Sequence, residues 1–211
     1  MIIAIGDIHG RFDKLQELLA LLPEEGELVF LGDYVDRGPQ SAEVVALLRE
    51  TAHICLLGNH EQLMIDAILH GQTYMWHING GLETIKSYKN MYGEDNAWKA
   101  MEDDANWMRT LPLSYTTDTH IFVHAGLNPR REVQTREDMI WIRELFLRSD
   151  KDFGRHVVHG HTHSHDTKQY HEVELLANRT NLDTAAFYTG ILSAAIIDGD
   201  TTIVIQTEAD D

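Results

Sequence analysis

The sequence predicts a single-domain α/β protein, and three observations carry that reading. Short apolar runs alternate with segments of helical periodicity over the first third of the chain. The polar loop residues Asp7, Asp33 and Asn59 recur at intervals of 26 residues, which suits strand–helix–strand units of about 30 residues. The last third turns to strands and ends in two β-prone runs around Asp198-Gly199-Asp200. A length of 211 residues fits one domain that can bury a core without disulfides.

Each element follows from its residues. Ile2 to Ile5 is the first apolar run, closed by Gly6-Asp7-Ile8-His9-Gly10. Phe12, Leu15, Leu18, Leu19 and Leu22 then share a helical face, which Pro23 and Gly26 end. Leu28 to Leu31 is the second run, closed by Gly32-Asp33-Tyr34-Val35-Asp36-Arg37-Gly38, and a helix over 41–50 follows with Ser41 expected as its cap. His53 to Leu57 is the third run, closed by Gly58-Asn59-His60-Glu61 before a helix over 62–69. Right-handed crossovers put these strands in one parallel sheet with all three polar loops at one edge. Ligands of such sheets bind outside the carboxyl ends of the strands.

Residues 71–112 break the rhythm and hold Trp76, Trp98 and Trp107. They are expected to form helices and loops, a cap-like insertion beside the site, with the aromatics packing it onto the body rather than stacking on substrate. His120 to Val123 is the next strand, followed by His124-Ala125-Gly126. A helix is expected over 135–148. Val157 and Val158 lead into His159-Gly160-His161-Thr162-His163-Ser164-His165. Asp-Gly between the runs 191–197 and 201–206 is a hairpin signal, and the acidic tail from Glu208 is expected to fray.

The net charge of −17 argues against a protein that neutralises nucleic-acid phosphates or an anionic membrane surface. No apolar stretch approaches the ~20 residues that span a bilayer. No basic stretch precedes the first apolar run, so a secretory leader is not expected and the cytoplasm is the expected compartment. The single cysteine, Cys55, excludes an internal disulfide and a thiolate zinc finger. The residue six positions after Cys55 is Glu61 rather than arginine, against a cysteine-dependent phosphatase loop. The 13 histidines are the compositional oddity, since imidazole serves as metal ligand and general acid.

The polar clusters after the three early strands each begin with glycine, which permits close backbone approach to a ligand. Aspartate, histidine and asparagine without thiolate suit manganese, iron or zinc in mixed N/O coordination, whereas calcium would take oxygens alone. Each residue alone has a plainer reading, as a helix cap or a packed imidazole. Five loops together point to a metal site.

The three early loops resemble the signature loops of the phosphoprotein phosphatase family of metallophosphoesterases. His124-Ala125-Gly126 and Gly160-His161-Thr162 are similar to its two later histidine loops. Asn79-Gly80-Gly81 and the Trp-X-Arg-Glu stretch from Trp141 to Glu144 extend the likeness to its small bacterial and phage lambda-type serine/threonine phosphatases. The resemblance implies a β-sandwich of mixed sheets flanked by helices. It implies two divalent metal ions, manganese first, with iron, zinc, nickel or cobalt as alternatives. Asp7 and His9 would hold the first ion, Asp33 would bridge both, and Asn59, His124 and His161 would hold the second. His60 would be the general acid, oriented by Asp36, while Arg37 and Arg143 would grip the phosphoryl oxygens. The implied substrates are phosphorylated proteins or peptides carrying phosphoserine or phosphothreonine, and phosphotyrosine in addition, attacked by a metal-bridging hydroxide.

A bis(5'-nucleosyl)-tetraphosphatase is the alternative. That branch often shows Gly-Asn-His-Asp and lacks an aspartate matching Asp36, so Asp36 and Glu61 favour the protein phosphatase. The negative charge disfavours a nuclease. A catalytically dead phosphoprotein-binding module would need a lost ligand, and none is missing. One departure stands out: Asp183-Thr184-Ala185-Ala186 replaces the Asp-Thr-Gly-Ala common in relatives. His159 and His163 are candidates to support the ligands. His53, His70, His77, His120, His156, His165 and His171 read as surface or packed residues.

Overall fold

The computed structural model describes residues 1–51, 53–163, 171–199 and 201–210, so His165 and Asp200 lie outside the described residues. The first half runs β1 (Ile2–Ile5), α1 (Phe12–Leu21), β2 (Glu27–Phe30), α2 (Ser41–Glu50), β3 (Ile54–Cys55) and α3 (Asn59–His70). The insertion follows as α4 (Thr73–Trp76), a kinked turn over His77–Gly81, α5 (Leu82–Tyr92) and α6 (Glu94–Met108). The second half comprises β4 (Ser114–Thr116), β5 (His120–Val123), α7 (Arg136–Trp141), α8 (Glu144–Leu147), β6 (His156–His159), β7 (Glu174–Leu175), β8 (Arg179–Asn181), α9 (Ala186–Thr189), β9 (Ser193–Asp198) and β10 (Thr201–Gln206).

Two mixed sheets of five strands result, in the orders β10-β9-β1-β2-β3 and β4-β5-β6-β8-β7. The three early strands are parallel, and the closing hairpin adds antiparallel to β1. β1 is apolar on both faces because both faces are covered. Ile3 and Ile5 pack into the layer that holds Leu15, Leu18, Val44 and Val45 of α1 and α2. Ala4 points the other way, and Val29, Leu31 and Leu56 join it in an inter-sheet layer with Phe122, Val158, Leu182, Ala195 and Ile197. Period-two alternation of the strands thus builds the sandwich. Burial of each large side chain there contributes roughly 1.5–3 kcal/mol. On the outer face of the second sheet, Val123 and Val157 meet Phe146 of α8.

Several boundaries differ from expectation. Ser41 begins α2 rather than capping it, and its hydroxyl accepts the Asp36 N–H at 3.1 Å. Helix α3 starts at Asn59, three residues early, which puts Asn59 and His60 on its first turn. The helix expected over 135–148 is two pieces, because Ile142 (ψ 142°) and Arg143 (φ −130°) leave helical geometry. The break swings Arg143 towards the strand ends, while Met139, Ile142 and Phe146 stay on the apolar layer. Tertiary packing overrides propensity here. Cys55 is buried in β3, and burial pushes its thiol up to about 12, leaving it unreactive. Among the described residues no helix is long and apolar enough to cross a membrane.

His159 ends β6 fully buried, its ring edge-on to Phe146 at 5.0 Å. Burial lowers its pKa from 6.5 to about 3, so the folded state binds fewer protons than the unfolded chain between those values. Stability is therefore complete above pH 6.5 and falls as the pH drops towards 3. Urea melts of metal-free protein from pH 7 to 5 should show this decline. His159→Leu should flatten its slope by about 1.4 kcal/mol per pH unit; an unchanged slope would count against the assignment.

Candidate active site

Six loops leave the strand ends at one edge of the sandwich and are laced together by backbone hydrogen bonds. Ile8 and His9 donate to the Asp33 carbonyl, Gly38 donates to that of His9, and Gly160 donates to that of His124. The site backbone is strained. His9, Asp33, Asp36, Arg37, His161 and Ala185 are the non-glycine residues with positive φ among those described, between 46° and 74°. Five of the six belong to the predicted site, where such conformations concentrate. The sixth, Ala185 (φ 52°, ψ 47°), holds at a cost a left-handed position that favours glycine. At Gly58 and Gly160 the backbone lies against the carboxylates of Asp33 and Asp7, and a Cβ at either place would overlap them.

Asp33 is central and buried. Its Oδ2 lies 3.5 Å from His9 Nε2, and its Oδ1 lies 3.3 Å from His124 Nε2. His9 and His124 each commit Nδ1 to a backbone carbonyl, of Val35 at 2.9 Å and of Leu31 at 3.0 Å. Each Nε2 lone pair therefore faces a carboxylate oxygen, an arrangement that suits imidazoles oriented to bind a cation. Ligand atoms about 2.1 Å from one ion would stand roughly 3.0–3.4 Å apart; the His124 pair at 3.3 Å falls in that range and the His9 pair at 3.5 Å lies just above it. Two sets of donor atoms lie within 4.8 Å of one another: His9, Asp33 and His60, and Asp33, His124 and His161. His161 Nε2 is buried without a hydrogen-bond partner. Asn59 Oδ1 stands 2.9 Å from His124 Nε2, and both Asp7 oxygens accept the His161 N–H. The donor set fits divalent ions sharing Asp33.

Electrostatics sorts the imidazoles. Burial lowers the pKa of His9, His124 and His161 below the ordinary value, which leaves them neutral and able to ligate. Burial opposes protonation of His60 too, but Asp33 and the hydrogen bond to Asp36 lift its pKa above the ordinary value. Burial would also raise Asp33, yet His124, His60 and His9 hold it below the usual carboxylate range. Asp7 is raised by burial and by the neighbouring Asp183 and Asp33, a surplus of negative charge that a cation would relieve.

His60 Nδ1 meets Asp36 Oδ2 at 2.7 Å, and its Nε2 lies 4.0 Å from Asp33 Oδ2, farther than that of His9. The Arg37 guanidinium lies 2.9 Å from His9 Nε2 and 3.1 Å from His60 Nε2, with its carbon 4.6 Å above the Phe187 ring. Arg143 approaches from the His161 side, donating to the His161 carbonyl and the Thr162 hydroxyl. Trp141, partly exposed, stands edge-on to the His161 ring at 6.0 Å. All ten predicted residues thus meet at one edge. The aspartate–histidine pair can offer a proton, and the two guanidiniums can bind an anion from opposite sides.

Sequence reasoning missed four contributors. Phe187 lies beneath Arg37, and Asp183 lies buried beside Asp7 with His163 in electrostatic reach. Asn181 holds the Thr162 carbonyl at 2.7 Å. The fourth is the structural role of Glu61, whose buried carboxylate accepts the N–H groups of Asp33, Tyr34, Val35 and Gly58 at 2.7–3.3 Å. Its place in Gly58-Asn59-His60-Glu61 was the available signal, since a glutamate at the third position of a helix can turn back to the cap.

The family model for calcineurin-like phosphoesterases matches residues 1–188. Serine/threonine-protein phosphatase 1 of Salmonella typhimurium is 30% identical over 203 residues, covering 92% of this chain and 90% of that protein. The symmetrical bis(5'-nucleosyl)-tetraphosphatase of Methylococcus capsulatus is 32% identical over 139 residues, covering 64% of this chain but only 46% of its own length. A metallophosphoesterase structure from Sphaerobacter thermophilus superposes with a TM-score of 0.59 at 19% identity, covering 99% of this chain and 89% of that one, and shows the same fold.

Glu61→Asp withdraws the carboxylate by one methylene and strands buried amide donors of the second loop. It should lower the unfolding free energy by roughly 2–4 kcal/mol in urea melts. A loss under about 0.5 kcal/mol would show that the loop does not depend on those bonds.

Proposed function

The chain belongs to the calcineurin-like phosphoesterase family, and from that premise we propose that it is a phosphoprotein phosphatase hydrolysing phosphoserine and phosphothreonine monoesters, with phosphotyrosine as a further substrate. The observation that carries this choice is the buried pair of Asp36 and His60, joined at 2.7 Å. A seryl or threonyl ester departs as an alkoxide, which must gain a proton as its bond breaks. A dinucleoside polyphosphate departs as a phosphate anion, which needs none. A positioned acid therefore serves the ester more than the anhydride. The near full-length likeness to a serine/threonine phosphatase supports the same reading.

His9, Asp33, Asn59, His124 and His161, with Asp7 beside them, would hold two divalent ions, manganese the first candidate and iron, zinc, nickel or cobalt the alternatives set by availability. Bound there, such ions neutralise charge on the phosphoryl group and acidify water near neutral pH. Arg37 and Arg143 fork onto the phosphoryl oxygens. His60 keeps Nδ1–H on Asp36 and hands the proton at Nε2 to the leaving oxygen. Phosphorylated proteins or peptides are the proposed partners, and the cytoplasm the proposed compartment.

Phosphopeptides and diadenosine tetraphosphate should be compared on protein stripped by chelator and reloaded with Mn²⁺. The peptides are expected to win by at least about tenfold in kcat/KM, roughly 1.4 kcal/mol; preference for the dinucleotide would overturn the reading. His60→Asn is expected to keep its metal content, measured by elemental analysis, while peptide turnover falls about 10²–10⁴-fold. Undiminished turnover would remove His60 from the acid role.

A further inference from the structure

We propose that Trp76 and Thr84, both in the 71–112 insertion, are positioning residues that fix Asp36 and thereby aim His60 at the leaving group. The inference rests on the acid role given to His60 above. Asp36 divides its two carboxylate oxygens. Oδ2 goes to His60 Nδ1 at 2.7 Å. Oδ1 accepts the Trp76 indole N–H at 2.8 Å and the Thr84 hydroxyl at 2.7 Å. All four side chains are buried, so no water competes for the oxygens. With two donors on Oδ1, the carboxylate cannot rotate without abandoning a buried polar group.

The insertion also grips the loop that carries Asp36. The Thr84 hydroxyl oxygen accepts the Asp36 N–H at 2.8 Å, beside the Ser41 hydroxyl at 3.1 Å. The next amide, of Arg37, donates to the Gly80 carbonyl at 3.3 Å. Asp36 (φ 74°) and Arg37 (φ 70°) are consecutive left-handed residues, a conformation that costs about 1–2 kcal/mol each and needs outside support. Trp76 and Thr84 flank the kink between α4 and α5, where Gly80 has φ 107°. A Cβ on Gly80 would strike the Arg37 backbone, and one on Gly81 would strike the Trp76 ring. Asn79-Gly80-Gly81 therefore permits the close approach that brings Trp76 and Thr84 to one carboxylate.

The test compares phenyl phosphate, a poor leaving group, with p-nitrophenyl phosphate, a good one that needs little protonation, on the Mn²⁺-loaded full chain. Trp76→Phe and Thr84→Val should each lower kcat for phenyl phosphate about tenfold, the size of one hydrogen bond to a charged acceptor, with KM unchanged. On p-nitrophenyl phosphate the fall should stay within about threefold. Thr84→Ser should restore the wild-type ratio. An equal fall on both substrates, or none, overturns the proposal. His60→Asn in the same assay must show the leaving-group split. If it does not, the acid role fails; if it does and the insertion variants do not, the positioning role alone fails. Proton NMR gives a readout apart from turnover. The downfield His60 Nδ1–H resonance should persist in wild type and Thr84→Ser and exchange away in Thr84→Val. Its persistence unchanged in Thr84→Val overturns the proposal as well.

Discussion

Asp33 turns one oxygen towards His124 and the other towards His9, and it does so from a left-handed backbone on the loop after β2. The contacts that secure this pose come from three directions. The carboxylate of Glu61 takes the Asp33 N–H, the Asp33 carbonyl takes the N–H groups of Ile8 and His9, and the His60 N–H reaches back to Asp33 Oδ1. A carboxylate placed midway between imidazole sets can share its charge between two cations only if it cannot turn away. The strained loops, the glycines pressed against Asp7 and Asp33, and the dry layer beneath all serve that immobility.

Apart from Arg143, which lies between α7 and α8, the chemistry-bearing residues were legible because they sit in loops that follow short apolar strands, and the parallel topology of the early strands then forces the loops to one edge. The regular spacing of Asp7, Asp33 and Asn59 was enough to place them. Other parts had no local signal. β8 reads Arg-Thr-Asn, yet it lies between β6 and β7 and is buried, because its neighbours and not its own side chains hold it there. β7 has two residues, too few for any period to appear. The break at Ile142 and Arg143 interrupts a stretch with helical spacing, because tertiary packing overrides the local periodicity there. Trp76 was expected to pack, and it does. Its indole N–H bond to Asp36 is a tertiary fact that neither residue announces.

The distribution of charge separates binding from catalysis. The chain carries a net charge of −17, and its site gathers Asp7, Asp33, Asp36 and Asp183 out of water. Among the described residues, Arg37 and Arg143 set positive charge at this edge. The two guanidiniums thus gather positive charge at one edge of a chain whose overall balance is negative.

Glu61 belongs to α3, but all of its amide partners lie ahead of it, three of them on the loop after β2. With the reciprocal bond from His60 N–H to Asp33, these ties make two loops and a helix end move as one mechanical piece. Drift of the helix would carry the Asp33 carboxylate along, rather than open a gap between it and the asparagine and histidine of the first turn. For protein engineering the consequence is practical: neither loop is a swappable cassette, and a chimera that exchanges one must import its counterpart too.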